Sequence, residues 1–383
     1  MASTLGLDQA FQERFRFDVT TREVSVPSVL WWGRFDPGYS RNRIVRKLLG
    51  ELGWTIRDFH PRFSGLGDWE ARLRRLPRPD LVWVPCFRQR DLAAASRWAR
   101  KQGVPLLFDP LISAYDKQVD ERVKLNPDSP RAKRLLAWER ALFQRANRVL
   151  ADTPAHADYF ARALGVPTQK LAVVYVGAEE SRFKPEPLAF AAERRPLEVL
   201  FYGSFIPLQA PQVVIEAARL YRGPPVKWVL LGQGPLRKFC EERATGLENV
   251  TFEDWLPYEK LPARIHRADM LLGVFGTTPK AGRVIPNKVF QSLACGRPVL
   301  TRSASAYPEA LVAAVDSGLV WTSPGDAQLL ADRVANLAAN PDKLRQLSEA
   351  AAETSWSYFS ESVVRQQLSN ALEGLAARMK RHE

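Results

Sequence analysis

The sequence predicts an α/β protein of two successive doubly wound domains. Three observations carry this. At 383 residues the chain exceeds the ~250–300 residues at which a single core stops growing. Short apolar runs alternate with helix-period segments over nearly its whole length, the pattern of parallel sheets with helices on both faces. A Pro- and charge-rich stretch, Pro185–Pro196, splits that alternation into two parts and reads as a linker.

Residues 1–25 are polar and read as peripheral. Val26–Trp32 is the first apolar strand, closed by the turn-rich Gly33–Ser40. Ile44, Val45, Leu48, Leu49 and Leu52 form the stripe of a helix over about Arg41–Leu52. Thr55–Phe59, Leu81–Pro85, Pro105–Phe108, Arg148–Ala151 and Ala172–Val176 read as further strands. Helices are expected near Trp69–Leu76, Leu92–Gln102 and Ala132–Arg145. After the linker, strands are expected at Val199–Tyr202, Trp228–Leu231, Val250–Phe252, Met270–Val274, Pro298–Thr301 and Gly318–Trp321. Two closing helices, about Pro341–Ala352 and Ser360–Met379, have no strand after them. The domains read as 1–185 and 197–356. Ligands of such sheets bind at the carboxyl ends of the strands, so the cleft between the domains is the expected site.

Composition narrows the function. Hydrophobic content of 46% and charged content of 25% are those of a soluble globular protein. No apolar run approaches the ~20 residues of a spanning helix, and Asp8, Glu13 and Asp18 argue against a secretory signal at the N-terminus. Cys86, Cys240 and Cys295 are isolated, with neither disulfide nor metal spacing, which points to a reducing, cytoplasmic setting. His60, His156, His266 and His382 show no repeated spacing and no Asp-x-Asp pair is present, so no metal is expected. Net charge is +13 and uneven: residues 1–180 hold 30 Lys and Arg against 21 Asp and Glu. A basic first half suits an anionic membrane surface at the periphery, or only a set of solvated faces. No nucleic-acid motif accompanies it.

The stretch Arg283–Leu300 is the most informative. Pro286 suits a helix start, Gly296 a helix stop, and Val299–Leu300 the strand that follows. Unpaired N–H groups at a helix start attract anions. Asn287 and Lys288 sit there, and Gln291 shares the face of Lys288. A phosphate site, a cation and a neutral amide for a sugar hydroxyl therefore fall on one short element.

The run Ala294-Cys-Gly-Arg-Pro-Val-Leu300 resembles the donor-site helix of retaining, family-four (group 1) GT-B glycosyltransferases. Leu230–Leu236, with its Gly-x-Gly-Pro turn, Asn249–Leu256 and Val174–Pro185 resemble further segments of that family in the same order. The resemblance is best from about Ala146 to Trp356. It implies two Rossmann-like domains, with the last helix, about residues 360–383, crossing back to the first. It implies sugar transfer from a nucleoside diphosphate to a hydroxyl acceptor, saccharide, lipid-linked or small, with retention and without a cofactor or metal.

The resemblance also assigns candidate residues. Gly203, Ser204 and Gln209 fall in the turn that serves the diphosphate, where the family carries an Arg and a Lys in place of Ser204 and Gln209. Arg283 and Gln291 occupy the positions of two family Glu residues that bind the sugar and the ribose. Gln291 can hold ribose hydroxyls, whereas Arg283 cannot accept a hydrogen bond. Lys288 is the expected replacement cation. Gly232 and Gly234 allow close backbone approach or serve a tight turn. Trp255 is a candidate for the nucleobase. Glu309 follows a small-residue turn and is a ligand candidate or a helix-start charge.

On the acceptor side, Gly38, Tyr39, Ser40 and Arg41 follow the first strand. Asp109 ends the strand Pro105–Phe108 and is the candidate for orienting the acceptor hydroxyl, or else a cap. Asp116 and Lys117 are lesser candidates. The rival readings are a nucleotide-sugar epimerase on the same fold and a non-catalytic GT-B partner protein. The oligomeric state is not legible.

Overall fold

The computed structural model describes residues 26–122, 124–188 and 196–379. The peripheral reading of 1–25, most of the linker and the last four residues lie outside that range. Two six-stranded sheets form, both wholly parallel. The first has the order β2-β1-β3-β4-β5-β6, with β1 Ser28–Trp32, β2 Thr55–Phe59, β3 Leu81–Val84, β4 Leu106–Phe108, β5 Arg148–Ala151 and β6 Leu171–Val173. The second has the order β12-β11-β10-β7-β8-β9, with β7 Leu197–Tyr202, β8 Val226–Leu231, β9 Val250–Glu253, β10 Met270–Leu272, β11 Val299–Arg302 and β12 Leu319–Thr322. This is the doubly wound α/β class the alternation predicts.

Strands buried on both faces must be apolar on both faces. Trp31, Trp32 and Trp83 are accordingly buried in the first sheet and Trp228 in the second. Trp31 and Trp83 stack with centroids 5.0 Å apart. The helix Ser40–Glu51 turns Ile44, Val45, Leu48 and Leu49 inward, as its spacing predicts. The last helix, Glu361–Met379, returns to the first sheet's side. There Gln367 Oε1 accepts the Tyr175 N–H at 2.9 Å and Arg365 meets Glu51 at 3.0 Å. No described helix is long and apolar enough to cross a membrane.

The glycines of the Leu230–Leu236 turn answer to packing. Gly232 has φ +128°, and a Cβ there would lie 2.0 Å from the Gly203 carbonyl oxygen. Gly234 has φ +153°, and its Cβ would lie 2.5 Å from the Phe205 nitrogen. The loops after β7 and β8 thus touch backbone to backbone, and of the readings open for this turn the tight structural one holds. Gly232→Ala is expected to destabilise the fold by roughly 2–4 kcal/mol, because neither backbone can yield. Chemical denaturation of the variant checks this.

Candidate active site between the two sheets

The carboxyl ends of both sheets face one cavity of about 530 Å³. The loop after β1 contributes Asp36, Gly38, Tyr39 and Ser40. The end of β7 contributes Tyr202, Gly203, Ser204 and Gln209, and the helix Asn287–Ala294 contributes Asn287, Lys288 and Gln291. Trp255, 65% exposed, stands at its edge. Pro286 precedes that helix in extended conformation, so the first helical residue is Asn287. Gly296 takes the left-handed conformation (φ +67°) that stops it.

Lys288 is the most unusual group in the cavity. It is 5% exposed. Its Nζ donates to the Gly273 carbonyl at 3.0 Å and lies 3.7 Å from the centroid of Phe201. No carboxylate pairs with it among the described residues. Burial therefore drives its pKa well below the usual lysine value of 10.5. The aromatic face and one carbonyl compensate a buried ammonium only in part. Tyr202 Oη lies 3.0 Å from Gln291 Oε1 and 3.1 Å from the Lys288 carbonyl, which fixes Gln291 in the cavity wall. Gln209 packs over Gly203, and its buried Oε1 has no partner among the described residues. Burial pushes the Tyr39 phenol up, and Asn287 on the facing helix offsets part of that.

The other cations near the cleft are engaged across it. Arg283 Nη2 meets Asp116 at 2.5 Å and Asp120 at 2.8 Å, both from the first domain, and its guanidinium lies 4.3 Å from the Tyr159 centroid. Lys280 pairs with Glu121 and lies 3.8 Å from Asp116. Glu139 pins this acidic segment by accepting from Ser113 Oγ and from the N–H groups of Ala114 and Tyr115. On the opposite flank, Tyr258 donates to Glu179 at 2.9 Å, and Arg43 reaches both Glu179 and the Tyr258 ring.

This geometry places six of the candidate residues away from the site. Asp109 is buried beneath the cleft, where Arg41 binds both its oxygens at 2.9 and 3.2 Å. Arg41 is itself fully buried and donates to the Val174 and Tyr175 carbonyls, so the pair is an internal strut and neither faces an acceptor. Arg283 is held by Asp116 and Asp120 and does not line the cavity. Glu309 is exposed at the start of a five-residue helix and likewise lies outside the lining. Gly232 and Gly234 serve the loop contact described above.

Of the carboxylates that line the cavity, Asp36, Glu121 and Asp152, the last stands one residue past β5. His156 Nδ1 lies 2.6 Å from its Oδ1, and the helix Pro154–Leu164 that carries His156 is capped by the Thr153 hydroxyl. The other His156 nitrogen is buried without a hydrogen-bond partner among the described residues and lies 3.8 Å from Asp116. The signal for Asp152 was the one applied to Asp109, a carboxylate directly after an apolar strand. Glu121, Lys280 and Tyr202 carried no such signal.

With the site assembled, known proteins can be set beside it. Residues 6–177 match the profile of the glycosyl transferase 4-like domain. Residues 196–340 match that of the glycosyl transferases group 1. The chain belongs to the glycosyltransferases of this type. A relative in Escherichia coli (strain K12), named as the colanic acid biosynthesis glycosyltransferase WcaL, is 30% identical over 245 residues, covering 61% of this chain and 58% of the relative. The D-inositol 3-phosphate glycosyltransferase of Segniliparus rotundus is 27% identical over 262 residues, covering 65% and 56%. These matches thus span less than two thirds of the relatives. The fold matches Thermosynechococcus elongatus sucrose-phosphate synthase (TM-score 0.71, 17% identity, 92% of this chain and 100% of that one). It also matches Anabaena HepE in complex with UDP and glucose (TM-score 0.66, 18% identity, 91% and 99%). Both structures share the two-domain GT-B arrangement of this chain.

Replacing Lys288 by the isosteric Met is expected to raise the melting temperature of the ligand-free protein near neutral pH. The folded pKa of Lys288 is depressed, so the unfolded chain binds its proton more readily and stability rises with pH through that window. The gap between variant and wild type should therefore narrow as pH approaches 10.5. Thermal melts across pH check both statements.

Proposed function

We propose that this chain transfers a sugar from a nucleoside-diphosphate sugar to a hydroxyl acceptor, with retention and without a metal. The observation that carries the reading is the buried Lys288, without an acid among the described residues, at the start of a helix facing the inter-domain cavity. A departing diphosphate gains charge as the anomeric bond breaks, and catalysis requires a preorganised cation where that charge develops. The Asn287–Ala294 helix start adds unpaired N–H groups. Gln291 suits ribose hydroxyls, and Trp255 offers a ring to the base. That the structural neighbour HepE binds UDP makes UDP-sugars the first donors to try.

On the acceptor side, Asp152 takes the role that the sequence reading gave to Asp109. Its inner oxygen is held by His156, and its outer oxygen can orient an acceptor hydroxyl. The acceptor oxygen then bonds to the anomeric carbon while the bond to the diphosphate oxygen breaks. The diphosphate leaves with the electron pair, and the hydroxyl proton passes to the departing phosphate. Saccharide, lipid-linked and small acceptors all fit this chemistry.

Lys288→Met should weaken nucleoside-diphosphate binding by about 10- to 100-fold, the worth of a charge-assisted contact of 1.5–3 kcal/mol. Asp152→Asn should leave donor binding within about twofold and lower acceptor-dependent turnover by about 10²-fold or more. Calorimetry and a product assay with a panel of donors and acceptors separate the two. Isomerised sugar formed without acceptor would point to an epimerase, and no binding by any nucleotide sugar to a non-catalytic partner; either result rejects the transferase.

A further inference from the structure

The short helical stretch after β2 is oriented the wrong way round for a water-facing element. Its 3₁₀ turn Ser64–Leu66 runs straight into the helix Gly67–Leu73. The inward face is made of small or paired residues. Gly67 sits against the Trp32 ring, Ala71 is fully buried, and Asp68 is tied to Arg97. The outward face carries the large apolar side chains. Leu66, Trp69 and Leu73 follow helical spacing and are 58%, 66% and 86% exposed, and Phe63 just before them is 69% exposed. A surface helix normally turns its apolar stripe to the core, so a stripe in water marks a contact surface.

Its electrostatics identify the partner. The segment's acidic groups are already used: Asp68 by Arg97, and Glu70 by Arg74. Arg62, Arg72 and Arg75 are exposed and none closes an ion pair among the described residues, although Arg72 adds to the positive field on Asp68. The Arg72 guanidinium lies 5.5 Å from the Trp69 centroid, so cation and aromatic form one surface. Exposed Trp, Phe and Leu ringed by arginines match an anionic lipid interface, where apolar side chains enter the headgroup boundary and guanidinium groups meet phosphate.

The patch also adjoins the cleft. His60 Nδ1 lies 2.9 Å from the Gly33 carbonyl, Phe35 stacks on His60 at 5.3 Å, and Arg88 bridges from Gly33 to Ser64 Oγ at 3.4 Å. Gly33 opens the turn whose later residues, Asp36 to Ser40, line the cavity.

We propose that the face formed by Phe63, Leu66, Trp69 and Leu73, with Arg62, Arg72 and Arg75, docks on an anionic lipid bilayer. The docked protein lies with the first-domain rim of its cleft, Asp36 to Ser40, near the bilayer surface. The proposal does not depend on the reaction assigned to the cleft.

The test is flotation of the full chain with vesicles, in the absence of any sugar donor. Vesicles of phosphatidylcholine with roughly one third phosphatidylglycerol should carry the protein up, and pure phosphatidylcholine should not. Raising the salt should weaken the binding. Trp69→Ser with Leu73→Ser, and separately Arg62→Glu with Arg72→Glu and Arg75→Glu, should each lower partitioning by about tenfold or more. These side chains are exposed, so melting temperature and nucleotide binding should stay as in the wild type. The proposal is overturned if the wild type ignores anionic vesicles, if it binds neutral ones equally, or if both variants partition unchanged. Variants that lose a dimer in analytical ultracentrifugation while keeping vesicle binding would assign the face to a second copy of this chain, and overturn it too.

Discussion

The ion-pair clasp between the two domains sets the terms for everything in the cleft. Asp116, Asp120 and Glu121 of the first domain take up Lys280 and Arg283 of the second. Burial raises the Asp116 carboxyl, while Lys280, Arg283 and His156 oppose that rise. The clasp consumes two cations that stand close to the donor-side helix. Lys288, on that helix itself, is left without an acid among the described residues. A protein that buries an ammonium without a counter-charge keeps it at a cost in stability. Such a cost is readily explained when a ligand anion completes the site, as a diphosphate would.

The same constraint reshapes the phosphate turn. Ser204 and Gln209 stand where relatives of this type are expected to carry Arg and Lys, and neither is charged. Gln209 instead packs over Gly203, while Gly203 and Phe205 receive the glycine turn after β8. The turn is therefore rigid and close to the cavity but electrically neutral. On the proposed reading, positive charge for a departing group would come from one side of the cleft, from Lys288 and the helix that carries it.

Much of the architecture was legible in the sequence because both sheets are buried on both faces. Continuous apolar runs such as Leu81–Val84 and Val226–Leu231 admit few other readings, and the glycine and proline punctuation placed most helix ends within two or three residues. The helix from Asn287 was legible for the same reason, and Lys288 with it. What the sequence hid was long-range pairing. Asp109 and Asp152 both follow apolar strands, and only the partner tells them apart. Arg41, 68 positions away from Asp109, takes it into the interior, whereas His156, four positions from Asp152, holds it at the cavity. Arg283 was misplaced because its partners lie 163 and 167 residues earlier, in a segment with no strong pattern. The outward apolar face at Phe63–Leu73 was hidden by its composition, which reads as an ordinary amphipathic helix until its inward side is seen.

The central claim is that Lys288 awaits an anion, and proton linkage tests it most directly. Burial holds its pKa down in the empty site, and a bound diphosphate would push it back up. Titration with nucleoside diphosphates, UDP first, at several pH values from about 8 up to the usual lysine value of 10.5 avoids the phosphate's own titration near pH 6. Calorimetry in buffers of different ionisation enthalpy then reads the protons taken up. The account predicts uptake by the wild type that disappears in the Lys288→Met variant along with most of the affinity. Tight binding with no difference in proton uptake between the two proteins would contradict it.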